Sequence, residues 1–152
     1  MRAEYINPFL SSTSSVFSQM LGVEVTRLPP FVRNGQHSPQ YDVTGIIGLT
    51  GKTTGTVALS LTKEMALSVT GKLLGDTPTE VNATVVDAIG EVTNMIAGAA
   101  KSHLEQLELS LGLPTVITGK STCIAFPSNA IPISIPFDSP IGTFVVEVGF
   151  RA

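Results

Sequence analysis

Hydrophobic and polar residues alternate with two different periods along the chain. Residues 4–20, 62–74 and 78–108 carry apolar side chains at roughly every third or fourth position, which is typical of amphipathic helices. Residues 41–61 and 116–150 alternate with a period of two, which is typical of strands joined by turns. The order of these elements predicts an α/β fold of the α+β kind, with helices packed on a mostly antiparallel sheet.

The first predicted helix runs from about Glu4 to Met20 and ends before Gly22. Its apolar positions are Ile6, Leu10, Val16, Phe17 and Met20. The following residues, 23–32, are expected to form at most an edge strand, because Pro29 and Pro30 interrupt the pattern. A turn or loop is expected from Asn34 to Pro39.

A β-hairpin and a second helix come next. The turn at residues 50–54 separates two alternating runs, with Tyr41, Val43, Ile47 and Leu49 on one strand and Val57, Leu59 and Leu61 on the other. Thr62 is the expected N-cap of the second helix, which runs to Leu74 and ends at Gly75.

The third predicted helix is long, from Pro78 to about Glu108. Thr77 is its expected N-cap, and Glu80 would complete a capping box. One face is apolar and comprises Val81, Val85, Ile89, Val92, Ile96, Ala99, Ala100, His103 and Leu107. The opposite face is polar or small and comprises Glu80, Asp87, Glu91, Asn94, Gly98 and Glu105.

The remaining residues read as strands. Short strands are predicted at Val116–Gly119 and Cys123–Phe126, and a final one has Phe144, Val146, Val148 and Phe150 on its inward face. The strand Ile131–Phe137 contains Pro132 and Pro136, so it is expected at a sheet edge or in irregular form. Both halves run from helix to strands, which indicates a faint internal duplication. The register considered sets Ser11, Ser15, Ser18 and Gly22 against Asp87, Glu91, Asn94 and Gly98.

Composition narrows the class of protein. A chain of 152 residues is the size of one domain, so residues 1–152 are expected to form a single domain. Hydrophobic residues make up 43% and charged residues only 14%, which excludes a disordered tail or a charged coiled coil. The low charge content also suggests that a partner or a second copy covers part of the surface.

Charge, cysteine and histidine content exclude further classes. The net charge of −3 and the absence of a Lys/Arg cluster argue against a nucleic-acid binder. One cysteine and two histidines leave no internal disulfide and no metal site with ligands at the usual spacing. The first ten residues lack the apolar region of a secretory signal, and no apolar run approaches the ~18 residues of a membrane span. We therefore expect a soluble cytoplasmic protein.

Several chemical motifs have simpler structural interpretations. The segment Gly48–Thr53 resembles part of a phosphate-binding loop, but Ile46 stands where the first glycine is required and a strand follows, so a hairpin turn is favoured. His103 is expected to be a buried, hydrogen-bonded histidine, and Cys123 a small core residue. No G-x-S-x-G elbow supports a serine hydrolase.

Asp87, Glu91 and Asn94 remain as candidates for chemistry. Spacings of four and three residues place them on one stripe of the third helix, away from its apolar face. By spacing alone, a solvated polar face is the favoured interpretation. However, Gly90 and Gly98 cost helix stability unless something approaches closely, so the stripe is also typical of a docking surface for another protein's backbone.

The segment D-A-I-G-E-V-T-N resembles the Asp/Ser-x₃-Glu-x₂-Asn motif of the CheC/CheX/FliY family of chemotaxis phosphatases. The opening E-Y-I-N-P-F-L, the order of elements and the chain length are similar to members of the CheX type. The resemblance implies a CheC-like fold and hydrolysis of the aspartyl-phosphate of a CheY-like response regulator. It also implies a homodimer joined through a continuous sheet.

The resemblance also implies roles for single residues. Asn94 would enter the regulator's active site and orient the attacking water, and Glu91 would pair with the regulator's phosphate-contacting lysine. Asp87, with Gly98 at the end of the stripe, would make supporting contacts to the partner. The Mg²⁺ would be held in the regulator's active site, and this chain would need no cofactor of its own.

Two features depart from the family pattern, and two rival functions stay open. The first helix offers only Ser15 and Ser18 in place of a second motif, which favours the single-site type, and Pro114 lies closer to the motif than the family's downstream proline. One rival is a non-catalytic scaffold that binds a phosphorylated regulator, as flagellar switch proteins of a related fold do. The other is a structural dimerisation domain with a solvated stripe.

Overall fold

The computed structural model describes residues 3–32, 41–120 and 126–151. It contains three α-helices: α1 (Ala3–Leu21), α2 (Lys63–Leu74) and α3 (Ala83–Lys101). Its eight strands are β1 (Thr26–Arg27), β2 (Phe31–Val32), β3 (Val43–Thr50), β4 (Thr54–Leu61), β5 (Ser110–Leu111), β6 (Thr115–Thr118), β7 (Ile133–Asp138) and β8 (Phe144–Phe150). The predicted α+β fold is confirmed.

The strands form one antiparallel sheet with helices packed on one face. Its order is β1-β7-β8-β4-β3-β5, with β2 also on β7 and β6 also on β3. The predicted hairpin is confirmed as β3–β4. The core consists of the inward side chains of the four central strands and the apolar faces of the helices. The ring of Phe17 on α1 stacks on Phe144 with centroids 4.5 Å apart, which fixes α1 over β8.

The prediction that the proline-containing strand lies at a sheet edge is wrong. The reason for that prediction still applies, because proline has no N–H to donate to a neighbouring strand. β7 pairs with β8 on one side and with the two-residue strands β1 and β2 on the other. Leu28 donates its N–H to the carbonyl of Pro136 at 2.9 Å, so the ring nitrogen of Pro136 faces the same side. The two short strands that pair with this side of β7 are interrupted between β1 and β2. The interruption falls opposite Pro136, which has no N–H to donate.

The internal duplication is present in the sheet. β1 and β2 of the first half pair with β7 of the second half, and β5 and β6 of the second half pair with β3 of the first. Strands β4 and β8 meet at the centre. The two halves therefore exchange their short edge strands.

The register predicted for the duplication is wrong by about one helical turn. Helices α1 and α3 can be aligned at a buried threonine that each of them carries. This alignment sets Thr13 against Thr93, and each hydroxyl donates to the carbonyl four residues earlier at 2.7 Å. Counterparts of the motif residues on α1 are thus Asn7, Ser11 and Ser14, and not Ser11, Ser15 and Ser18.

Cap predictions held for α2 but not for α3. Thr62 accepts a hydrogen bond from the N–H of Met65, and Gly75 adopts the left-handed conformation that ends α2. In contrast, Asn82 caps α3 by accepting from the N–H of Val85 at 3.1 Å. Thr77 packs instead against Gly71 of α2, so residues 75–82 form a loop rather than the first turn of α3.

The C-terminal end of α3 also falls short of the prediction. His103 and Leu104 donate their N–H groups to carbonyls three residues earlier, and a short 3₁₀ helix follows at Glu105–Leu107. This change of winding turns His103 outward, so the prediction of a buried histidine is wrong. Leu107 is buried as expected, but outside α3.

Two other predictions concern single positions or residues that are not described. Met20 is 51% exposed and does not belong to the core, whereas Phe9 and Leu21 do. The expected turn Asn34–Pro39 and most of the expected strand Cys123–Phe126, with the predicted core position of Cys123, lie outside the described residues. None of the helices described here is both long and apolar enough to span a membrane.

Candidate functional site

α3 carries the candidate site and is held by its apolar face. The buried side chains of this face recur every three or four residues: Val85, Ile89, Val92, Ile96 and Ala100. They pack into the core between α1, α2 and the sheet. Because this face is fixed inward, the side chains on the opposite stripe must point out of the protein.

Asp87, Glu91 and Asn94 lie on that outward stripe, as predicted. Asp87 and Glu91 are exposed, and Asn94 is half-buried. Within the described parts of the chain, no hydrogen bond or ion pair involves any of these three side chains. Their polar groups are therefore available to a partner molecule.

One side of the stripe is bordered by the segment that connects β5 to β6. A Cβ placed on Gly90 would lie 3.4 Å from Val116 and 3.8 Å from Pro114, and one on Gly98 would lie 4.0 Å from Leu111. Residues 111–116 therefore run beside α3 from Gly98 back to Gly90, past the turn that carries Asn94. A Cβ at either position would make only an ordinary van der Waals contact, so Gly90 and Gly98 lie beside the border segment without being required by it.

Leu113 projects from the middle of the border segment and was not predicted as a site residue. Its side chain is 90% exposed, although the segment is held by a 2.8 Å hydrogen bond from the N–H of Gly112 to the carbonyl of Gly48. Single exposed apolar side chains are common on protein surfaces, but this one is held by an anchored turn beside the polar stripe of α3. In the sequence, the only signal that could have identified Leu113 is its position between a glycine and a proline.

The other predicted motifs have structural explanations. The segment Gly48–Thr53 forms the end of β3 and the hairpin turn, as expected. The N–H of Lys52 donates to the carbonyl of Leu107 at 2.8 Å, so the turn is packed against the 3₁₀ helix. Among the described residues, no group of three or more His, Cys, Asp or Glu side chains is placed to hold a metal ion.

The chemistry of the stripe follows from its residue types. A carboxamide donates and accepts hydrogen bonds but does not transfer protons at neutral pH, and a carboxylate pairs with a cation. The two groups of Asn94 and Glu91 are one helical turn apart. Such a pair can bind a site on another molecule that contains a cationic group and a water molecule. The carboxylate supplies charge there, and the carboxamide supplies orientation.

Comparison with known proteins identifies the family. The family profile described as chemotaxis phosphatase CheX matches residues 43–138, which include the whole of α3. A curated relative, the CheY-P phosphatase CheX of Thermotoga maritima, is 30% identical over 123 residues, which is 79% of each chain.

Solved structures give the same result over nearly the full chain. A CheC-like superfamily protein from Shewanella sp. PV-4 superimposes with a TM-score of 0.90 at 32% identity and covers 100% of both chains. CheX of Borrelia burgdorferi, solved in a complex with CheY, BeF₃ and Mg²⁺, gives a TM-score of 0.84 at 28% identity and covers 99% of this chain and 100% of its own. The motif on α3, the matching profile and the shared architecture lead to one conclusion: the chain belongs to the CheX family of chemotaxis phosphatases.

Proposed function

We propose that this protein hydrolyses the aspartyl-phosphate of a CheY-like response regulator and that α3 is the element that enters the regulator's active site. The reaction forms a bond between water oxygen and phosphorus and breaks the bond between phosphorus and the aspartate oxygen. The products are inorganic phosphate and the free aspartate. The observation that carries this proposal is the outward stripe of α3, where Glu91 and Asn94 are free of partners among the described residues.

Asn94 orients the attacking water. Its carboxamide can accept a hydrogen bond from the water and donate one toward a phosphoryl oxygen at the same time. The gain comes from holding the water in line with the scissile bond, which lowers the entropic part of the barrier. This role parallels the glutamine that positions water in GTPases.

Glu91 anchors α3 by pairing with the lysine that contacts the phosphate in the regulator. Asp87, one turn before Glu91, makes a supporting contact, and Gly98 leaves space at the far end of the stripe. Leu113 supplies an apolar contact beside this charged stripe. The docking surface thus combines an acidic stripe with one apolar projection.

The metal ion of the reaction belongs to the regulator. Mg²⁺ in that active site neutralises charge on the phosphoryl group, and this protein contributes no cofactor of its own. The presence of Mg²⁺ with CheY and CheX in the complex from Borrelia burgdorferi supports this division.

The domain organisation, location and oligomeric state that we propose follow those of the family. We propose that residues 1–152 act as one CheX-like domain, in the cytoplasm, as a homodimer joined through a continuous sheet. In the described part of the sheet, β1 and β2 form one edge, and β5 and β6 form the other. Edge strands of this kind offer unpaired backbone groups to a second copy.

Decay of a phosphorylated CheY-like regulator tests the proposal. The regulator is phosphorylated with a small phosphodonor, the donor is removed, and inorganic phosphate is followed with and without this protein. Wild type should accelerate the decay, whereas Asn94→Ala should not, and Asn7→Ala on the corresponding face of α1 serves as the matched control. Binding without acceleration by the wild type would favour the scaffold, and no binding would favour the structural dimerisation domain.

A further inference from the structure

The motif helix lies close to the sheet at Thr93, the residue that precedes Asn94. A Cβ placed on Gly45 of β3 would overlap the hydroxyl oxygen of Thr93 and would lie 3.1 Å from its Cβ. Both residues are buried, and Thr93 is only 1% exposed. The absence of a side chain on Gly45 therefore sets how near α3 lies to β3.

The hydroxyl of Thr93 is fixed in this contact. It donates to the carbonyl of Ile89 at 2.7 Å, and that carbonyl oxygen would itself lie 3.5 Å from a Cβ on Gly45. If Thr93 turned out of this contact, its buried hydroxyl would lose the hydrogen bond to Ile89. A methyl group on Gly45 would therefore force a shift of Thr93, and we expect the shift to be passed to the central turns of α3, which include Glu91 and Asn94.

In the duplicated half of the fold, a larger residue stands at the position that corresponds to Gly45. Arg27 of β1 pairs with Phe137 on β7, and Leu111 of β5 pairs with Leu49 on β3, so Phe137 corresponds to Leu49. Four residues earlier on each strand, Gly45 corresponds to Ile133. The glycine thus occurs on the strand beneath the helix that carries the motif, and a large β-branched residue takes its place in the other half.

We infer that Gly45 and Thr93 are positioning residues that set the height of α3 above the sheet and, with it, the reach of Asn94 into the partner's active site. The inference rests on the function proposed above. The regulator is also held by groups outside the central turns of α3, such as the border segment at Leu113. A displacement of those turns by on the order of 1 Å therefore changes the position of Asn94 relative to the bound phosphoryl group, and misplacement of this size costs roughly a hundredfold in rate.

Gly45→Ala tests the inference, with Gly48→Ala as the matched control. Gly48 lies on the same strand, and a Cβ there would meet nothing within 4 Å. Turnover is measured at saturating phosphorylated regulator, and affinity is measured with regulator carrying beryllofluoride, which stands in for the phosphoryl group. Gly45→Ala should lose roughly a hundredfold in kcat, with Kd changed less than tenfold, whereas Gly48→Ala should match the wild type.

A double variant distinguishes a positioning role of Gly45 from a general loss of stability. Thr93→Ala removes the hydroxyl that the added methyl group would overlap, so Gly45→Ala/Thr93→Ala should recover most of the kcat lost in Gly45→Ala, relative to Thr93→Ala alone. A general loss of stability would lower the melting temperature without changing the turnover of the folded fraction. If Gly45→Ala does not fold, Thr93→Ile enlarges the same contact from the helix side and should show the same loss of kcat.

Either folded variant, Gly45→Ala or Thr93→Ile, with wild-type kcat would overturn the inference, and so would a double variant that folds but recovers no turnover. These outcomes leave the proposed function untouched as long as the wild type accelerates the decay. A wild type that does not accelerate the decay would instead refute the proposed function.

Discussion

Glu91 and Asn94 lie one turn apart on the same face of α3, yet Glu91 is exposed and Asn94 is half-buried. The border segment runs beside α3 between its contacts at Gly90 and Gly98, and Asn94 lies between these two glycines. The side chain of Asn94 is therefore less exposed to solvent than that of Glu91. A partly covered side chain suits the proposed role of Asn94 in placing a water molecule, whereas the proposed pairing of Glu91 with a lysine tolerates more freedom.

Asn94→Ala should abolish most of the turnover without loss of stability. Removal of one positioned hydrogen-bonding group costs about 10²–10³ in kcat, and the Kd for beryllofluoride-loaded regulator should change little. Since alanine is the better helix former by up to about 0.7 kcal/mol, the melting temperature should not fall. Phosphate release and a thermal melt check both parts, and wild-type kcat in Asn94→Ala would refute the water-positioning role.

Glu91→Gln should weaken binding more than turnover. The neutral isostere removes the charge that we propose pairs with the regulator's lysine, so we expect a Kd about tenfold higher, which corresponds to about 1.4 kcal/mol. The difference from wild type should shrink as ionic strength rises, because salt screens the lost attraction. Titrations at two salt concentrations measure this, with Glu64→Gln on α2 as the control. Equal affinity of Glu91→Gln and wild type at low salt would contradict the anchoring role.

Leu113→Ala should also raise the Kd of the regulator, but independently of salt. Its side chain is 90% exposed and would lose an apolar contact worth roughly 1.5–3 kcal/mol if it is fully buried in the complex. We expect an increase in Kd of about tenfold or more. Ile131→Ala is the control, since Ile131 is 59% exposed and lies outside the border segment. A Kd that Leu113→Ala leaves unchanged would remove Leu113 from the docking surface.

Stability should fall at high pH because of Tyr41. Burial, and next the nearby carboxylate of Glu147, raise the pKa of Tyr41 above its ordinary value of 10.0. Glu147 is itself buried and accepts a hydrogen bond from Ser134 at 2.7 Å. Above about pH 10 the unfolded chain therefore loses the tyrosine proton more readily than the folded chain, so the free energy of unfolding decreases as pH rises.

Tyr41→Phe should flatten this pH dependence. Below about pH 10 the tyrosine is protonated in both states and contributes no slope, so the two proteins should differ only by a constant. Urea unfolding between pH 8 and 11 measures the free energy of unfolding of each. Identical slopes of wild type and Tyr41→Phe above pH 10 would show that another group is responsible.

Local patterns were sufficient to predict much of the fold and the position of the motif. The hairpin turn, the caps Thr62 and Gly75, and the outward stripe of α3 each depend on residues close together in the sequence. Such patterns fix which face of an element is apolar, and this in turn fixes the direction in which Asp87, Glu91 and Asn94 point.

The sequence could not decide between competing local patterns. Thr77 and Glu80 form as good a helix start as Asn82, and only the packing of Thr77 against Gly71 selects the latter. The apolar pattern also continues beyond Lys101 through Leu104 and Leu107, although the chain there winds as a 3₁₀ helix. A glycine within a strand, such as Gly45, is typical of a close approach, but its neighbour, Thr93, is set by tertiary packing.

The exchange of edge strands between the two halves has a consequence for folding. Thr26 pairs with Asp138, so the sheet joins residues separated by most of the chain. Native contacts at such separations make the relative contact order high and refolding slow compared with helical proteins of similar size. During synthesis, the β3–β4 hairpin can form early, but β1 and β2 cannot pair until β7 has left the ribosome. A chain cut in the loop at 75–82 would yield two fragments, each of which depends on the other to complete its part of the sheet.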